Sequence, residues 1–154
     1  MRLHLVIFAL LGVVLAELCV AVIFKFTNFV CESYNKSWVE FNNCRLKAVS
    51  RDKVVLNMDL EILHPAFDIQ TLMKIYKRET GYKPWLIDTK IDWCRFMRTN
   101  YDPVGKIVLS LFKPFSNINH TCPYVGPQIM KGVALNPELL LLPFPTGDYL
   151  LAIR

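Results

Sequence analysis

The sequence predicts an all-β domain, an antiparallel β-sandwich with one short helix, behind an N-terminal signal peptide. Two stretches carry the β prediction, because apolar and polar residues alternate along Leu56–Ile62 and Trp85–Trp93. Such alternation is typical of strands with one face in a core and one face in water. Turn-forming residues recur at roughly ten-residue intervals, which favours a sandwich. These turns are predicted at Arg51-Asp52, His64-Pro65, Thr80-Gly81 and Pro145–Asp148.

The chain opens with a segment that has the features of a secretory signal peptide. Residues 1–21 combine a charged start, a short apolar run and small residues at the expected cleavage positions. Cleavage is predicted after Ala21, with Ala16 as the alternative. An uncleaved membrane anchor is a third interpretation, since apolar residues continue through Ile23. Residues 22–154 then form a single domain, and we expect the protein to be secreted and extracellular.

Charge and composition exclude one class of partner. The 154 residues carry a formal net charge of +5, from 18 basic and 13 acidic side chains. The basic residues are spread along the chain without a dense run, whereas a nucleic-acid-binding face needs them clustered. We therefore expect no nucleic-acid partner.

The cysteines support an oxidising compartment. Cys31, Cys44, Cys94 and Cys122 remain after cleavage at Ala21, and four cysteines in a short secreted chain indicate two disulfides. Three connectivities are possible. The spacing suggests the local pairs Cys31–Cys44 and Cys94–Cys122.

Two asparagines are candidate glycosylation sites. Asn35 and Asn119 each begin an Asn-X-Ser/Thr triplet without proline, and each lies in turn-like sequence close to a cysteine. Glycans are expected on loops of secreted proteins, so both sites agree with the predicted compartment.

The remaining elements have weaker patterns. Three further strands are predicted at Ile23–Cys31, Trp38–Val49 and Ile69–Lys77. The phase of the second breaks near Asn42-Asn43, which indicates a β-bulge. The apolar run Leu139–Pro145 is either a buried strand or a lip of exposed apolar surface.

One segment has helical rather than strand spacing. Val104, Ile107, Val108 and Leu111 recur at helical intervals, and Pro103 suits the first position of a helix. A short amphipathic helix over Pro103–Phe112 is therefore predicted across the mouth of the sandwich. An ordinary strand is the alternative, since several of these residues are β-branched.

Five local motifs resemble a known family. They are CRLK at Cys44–Lys47, GYKPW at Gly81–Trp85, DWCRF at Asp92–Phe96, NHTCPY at Asn119–Tyr124 and PFPTGDY at Pro143–Tyr149. Their order and spacing resemble an insect group, the domain of unknown function 1091, which is related to the ML-type lipid-recognition proteins and includes the chemosensory CheB proteins. The resemblance spans Phe24 to about Ala152.

The resemblance implies both a fold and a function. The fold is an immunoglobulin-like sandwich or cup, with local disulfides, that opens to admit lipid between its sheets. Relatives usually continue after the motif ending at Tyr149, so a C-terminally shortened domain is expected. The implied function is a secreted binding protein for a lipid or other hydrophobic small molecule.

Large apolar side chains are predicted to line the binding site. They are Phe41, Leu60, Ile62, Trp85, Trp93, Phe96, Phe112, Phe115 and Phe144. Composition alone favours an ordinary filled core, because aromatic residues dominate core packing. The family resemblance is what favours a cavity.

The alternative function is an extracellular chemosensory accessory protein that modulates a membrane receptor or channel through its surface. An exposed aromatic patch of Tyr124, Phe144 and Tyr149 would mark that role. Catalysis is not expected, because the cysteines are predicted to be oxidised and the histidines are scattered. No metal site or cofactor is expected for the same reasons.

Overall fold

Six strands form two antiparallel sheets of three strands each in the part of the chain that the structure, a computed structural model, describes: residues 23–139 and 144–154. Sheet A has the order β1-β2-β5 and sheet B the order β4-β3-β6. The strands are β1 Val39–Ser50, β2 Lys53–Ala66, β3 Gln70–Arg78, β4 Tyr82–Asp92, β5 Tyr124–Val133 and β6 Tyr149–Ile153. The predicted all-β, sandwich-like class is confirmed.

Four of the five predicted strands are confirmed, and one is wrong. The strand predicted at Trp85–Trp93 is part of β4, which ends one residue earlier, at Asp92. The strictest alternation, Leu56–Ile62, lies inside β2, and β1 and β3 match the second and third weaker strands. The register of β1 against β2 shifts between Phe41 and Asn43, which confirms the bulge. The strand predicted at Ile23–Cys31 is not formed. The predicted signal peptide and residues 140–143 of the C-terminal apolar run lie outside the described residues.

The turn predicted at His64-Pro65 is also wrong, because β2 continues through both residues. A proline has no N–H to donate, so in a central strand such as β2 it is tolerated only where the pairing is interrupted. The pairing of β2 with β5 is interrupted between Ile62 and Ala66, and Pro65 lies in this interruption. The turn at Arg51-Asp52, by contrast, joins β1 to β2 as predicted.

Two α-helices lie between β4 and β5: α1 at Trp93–Thr99 and α2 at Pro103–Phe112. The bounds of α2 are those predicted, and Asp102 caps it by accepting a hydrogen bond from the Gly105 N–H at 2.8 Å. Helix α1 was not predicted, because the alternation of β4 was extended through Trp93. Neither described helix has the length and apolar character that a bilayer span needs.

The start of α1 has a local cause. Asp92 accepts a hydrogen bond from the Arg95 N–H at 2.9 Å, which satisfies one of the free donors of the first turn. The helix ends at Asn100, whose backbone is left-handed and whose N–H donates to the Phe96 carbonyl. An aspartate followed by apolar residues at helical spacing was thus the signal for this helix.

The core lies where α1 packs against both sheets. Its buried members are Met73, Ile91, Trp93, Phe96 and Tyr124. The two disulfides pair as the spacing suggested, with Cα–Cα distances of 6.2 Å for Cys31–Cys44 and 5.4 Å for Cys94–Cys122. The second disulfide joins α1 to the segment that leads into β5.

Helices α1 and α2 meet at Gly105. A Cβ atom added at Gly105 would lie 2.9 Å from Cε2 and 3.0 Å from Cδ2 of Phe96, closer than real Cβ contacts allow. Phe96 is fully buried and packs against Trp93 with 5.2 Å between ring centroids, so the ring has no room to move away.

We expect Gly105→Ala to lower the free energy of unfolding by about 1–2 kcal/mol, because the overpacking outweighs the higher helix propensity of alanine. Urea denaturation measures this change. Gly81→Ala is the control, since a Cβ there meets no atom within 4 Å and the change is expected to stay within about 0.5 kcal/mol. A Gly105→Ala variant at least as stable as the wild type would contradict the packing argument.

Candidate functional site: an apolar cavity between the two sheets

A cavity of about 280 Å³, partly open to solvent, lies between the two sheets. Sheet A contributes Leu60 and Ile62 from β2 and Tyr124, Gln128 and Met130 from β5. Sheet B contributes Thr71 and Met73 from β3 and Ile153 from β6, and the helices contribute Trp93, Val108 and Phe112. We call this space the intersheet cavity.

The position of the intersheet cavity follows from strand alternation and helix periodicity. Leu60 and Ile62 are two residues apart on β2 and therefore project from the same face of sheet A. Thr71 and Met73 have the same relation on β3 in sheet B. Val108 and Phe112 are four residues apart on α2 and share one face of that helix. The apolar faces of three elements thus meet around one space.

The cavity wall is almost wholly apolar. None of its residues is charged, and besides the indole N–H of Trp93 its polar side chains are those of Thr71, Tyr124 and Gln128. Small-molecule sites commonly combine an apolar wall with a few polar groups that set orientation. The volume is nearly twice that of the engineered apolar cavity of about 150 Å³ that binds benzene. The space is therefore large enough for a ligand well beyond a single ring.

Tyr124 is the most deeply buried polar residue of the cavity wall. It is 2 % exposed, and its hydroxyl donates a hydrogen bond to the His120 carbonyl oxygen. Its ring stacks on the His120 imidazole with 4.4 Å between centroids. Burial raises the pKa of the Tyr124 hydroxyl, because the charged phenolate would be poorly solvated there. The hydroxyl therefore stays neutral at physiological pH.

Gln128 is the other buried polar residue of the wall. It is 3 % exposed, and its Nε2 lies 3.4 Å from each of the Val125 and Gly126 carbonyl oxygens. Its Oε1 has no hydrogen-bond partner within residues 23–139 and 144–154. Buried polar atoms without a partner are rare in folded proteins, so this oxygen needs an explanation.

Four of the nine side chains predicted to line a site lie on the wall of the intersheet cavity: Leu60, Ile62, Trp93 and Phe112. Phe96 lies one layer behind, fully buried against Trp93. Phe41 is half-buried on β1 opposite Leu60, and it is not part of the wall. Phe115 is 42 % exposed, because it lies in the short 3-10 turn Lys113–Phe115 after α2.

Trp85 and Phe144 lie in a separate aromatic cluster. Their ring centroids are 5.1 Å apart, and each is within 5.1 Å of the Tyr149 ring. Phe24 completes the cluster by an edge-to-face contact with Phe144 at 5.4 Å. The two residues were predicted on the cavity wall because their size and sequence pattern suit a core. Instead, Trp85 and Phe144 pack the start of β6 against β4.

The prediction that Tyr124, Phe144 and Tyr149 form an exposed aromatic patch is wrong. Tyr124 is buried in the wall of the intersheet cavity, whereas Phe144 and Tyr149 pack against each other. Tyr124 begins strand β5, which was not predicted, and its side chain points to the core. The three residues therefore do not share one exposed surface.

Four of the wall residues that sequence reasoning missed lie in β5 and β6: Tyr124, Gln128, Met130 and Ile153. Gln128 and Met130 lie in a strand that contains two glycines and a proline, which are poor strand formers. Their spacing of two residues was the available signal. Both candidate glycosylation sites, Asn35 and Asn119, are exposed in loops. In the described ranges, His, Cys, Asp and Glu side chains nowhere gather in a group of three or more that could hold a metal ion.

Comparisons with known proteins place the chain in a family. The family model described as "Protein of unknown function (DUF1091)" matches residues 71–151, which is more than half of the chain. Searches of curated proteins and of solved structures gave no match. The matched segment contains β3, β4, both helices, β5 and the first part of β6, so it supplies most of the cavity wall. The chain belongs to the DUF1091 family.

Proposed function

We propose that this protein is a secreted, non-enzymatic binding protein that holds a lipid or other hydrophobic small molecule in the intersheet cavity. The cavity itself carries the proposal: about 280 Å³ of space with an uncharged, almost wholly apolar wall lies between two sheets. Burial of apolar ligand surface in such a space is favourable by about 25 cal/mol per Å². The proposal includes the relation to ML-type lipid-recognition proteins and to insect CheB proteins.

The proposed extracellular location rests on three features of the chain. Two disulfides join loop residues to β1 and to α1, and such bonds persist in oxidising compartments. Asn35 and Asn119 are both accessible to a glycosyltransferase. The N-terminal segment has the pattern of a signal peptide. Protein for the experiments below is therefore best taken from the medium of insect cells.

A larger side chain on the cavity wall tests whether ligands bind inside the cavity. Ile62 lies on the cavity wall, whereas the next residue, Leu63, is 43 % exposed. We expect Ile62→Trp to weaken the binding of pyrene, an apolar fluorescent hydrocarbon, at least about tenfold, because the larger ring occupies the ligand's space. The measurement is a fluorescence titration of the delipidated protein.

Leu63→Trp is the matched control, with the same substitution one residue away, and it is expected to bind pyrene as the wild type does. Circular dichroism of both variants verifies that they fold. If the wild type does not bind pyrene, or if Ile62→Trp binds it as tightly as the wild type, the cavity is not the ligand site. Function would then reside on the surface, as in the alternative of a receptor-modulating protein.

A further inference from the structure

We propose that Gln128 selects ligands that carry a hydrogen-bond donor, such as a long-chain alcohol, over purely apolar ligands of the same size. This inference rests on the proposed function, because it names the chemical class of molecule that the intersheet cavity takes. Its starting point is the Gln128 Oε1, the one buried side-chain polar atom that has no hydrogen-bond partner among the described residues.

The orientation of the Gln128 amide is determined by its neighbours. Its nitrogen faces the Val125 and Gly126 carbonyl oxygens, which can only accept hydrogen bonds. Turning the amide over would place its oxygen against two carbonyl oxygens, which is unfavourable. The amide oxygen is therefore the group that is available to another molecule. It can only accept a hydrogen bond, so that molecule must carry a donor.

The acceptor can reach the cavity by a small movement. Oε1 is covered by protein atoms in this structure, while Gln128 itself lies on the cavity wall. The terminal torsion of glutamine is soft, and both Nε2 contacts are long, at 3.4 Å. A tilt of the amide about this torsion exposes the oxygen while the nitrogen stays near the two carbonyl groups.

The surroundings make this acceptor selective. Tyr124 has its hydroxyl hydrogen engaged with the His120 carbonyl, so it does not supply the missing donor. The apolar wall gives a ligand donor few other partners. Leaving a buried acceptor unpaired costs free energy. A ligand with a donor is therefore expected to bind more tightly than a matched ligand without one.

The test compares two isomers, n-decanol and methyl nonyl ether, which have the same atoms but differ in whether the oxygen carries a hydrogen. Each is used to displace pyrene from the delipidated wild-type protein. We expect n-decanol to bind about tenfold more tightly than the ether. Gln128→Met has nearly the same shape without the acceptor, and it is expected to bind pyrene and to remove most of this difference.

Gln70→Met is the matched control, because it makes the same substitution at an exposed position outside the cavity wall, and it is expected to keep the preference. Equal binding of the two isomers by the wild type overturns the inference while leaving the proposed function intact. A preference that persists in Gln128→Met also overturns it. If pyrene and both isomers fail to bind the wild type, the proposed function itself is overturned. The wild-type comparison decides the question even if a variant does not fold.

Discussion

Replacing Phe96 by alanine is expected to lower the free energy of unfolding by about 3–5 kcal/mol, the largest effect of any single substitution considered for this chain. Phe96 has no exposed surface, and its ring packs against Trp93, Tyr101 and the backbone of Gly105. Removing the ring leaves a void at the junction of both helices. The surrounding side chains fill it only in part, because a packed core relaxes incompletely around a deleted ring.

The consequence of this substitution extends to the candidate site. Trp93 lies on the wall of the intersheet cavity, and Phe96 supports it from behind. Urea denaturation gives the loss of stability, and pyrene titration of the folded variant shows whether the wall has moved. Phe115→Ala serves as the control, since Phe115 is 42 % exposed and its removal is expected to cost less than about 1 kcal/mol. Similar losses for the two variants would contradict the assignment of Phe96 to the core.

Removing the disulfide between Cys94 and Cys122 is expected to lower the free energy of unfolding by about 3–4 kcal/mol. The bond closes a separation of 28 residues, so it removes considerable freedom from the unfolded chain. Cys94 is also 5 % exposed and lies on α1, next to the core residues Trp93 and Phe96. The double variant Cys94→Ala/Cys122→Ala therefore loses a tether between α1 and the start of β5.

The other disulfide provides the comparison. The Cys31–Cys44 bond closes only 13 residues, and Cys31 precedes the first strand of sheet A. The shorter loop accounts for a difference of about 0.6 kcal/mol, since closure entropy changes slowly with length. The burial of Cys94 increases this difference in stability between the two disulfide variants. Urea denaturation of Cys31→Ala/Cys44→Ala should give the smaller loss, and the reverse order would show that the Cys94–Cys122 bond does not stabilise the core.

The local elements were predictable where neighbouring residues suffice to specify them. Helix α2 follows from apolar spacing and from Pro103 after a capping aspartate, all within ten residues. Helix α1 was missed because Trp93 continues the alternation of β4, although Asp92 is a good cap. The segment predicted as a strand at Ile23–Cys31 has no partner strand in the described part of the chain, so its backbone groups have no sheet ladder to join.

The candidate site was only partly predictable. Leu60 and Ile62 follow from the clearest alternation of the sequence, and they lie on the cavity wall. Gln128 has no comparable signal, because a polar residue between Pro127 and Ile129 is ordinarily expected to face water. Its burial depends on β5 pairing with β2, where Gln128 lies opposite Leu60.

The sequence by itself determined the β-rich class, the helix over Pro103–Phe112 and the residues that alternate between core and solvent, because these depend on spacings of a few residues. Only the tertiary structure decided which aromatic side chains meet. Trp93 and Phe112 face the cavity, while Trp85 and Phe144 pack elsewhere. All four are large and apolar, so their chemistry does not distinguish them. Their positions depend on strand pairing and helix packing between residues far apart in the chain, which a local pattern does not contain.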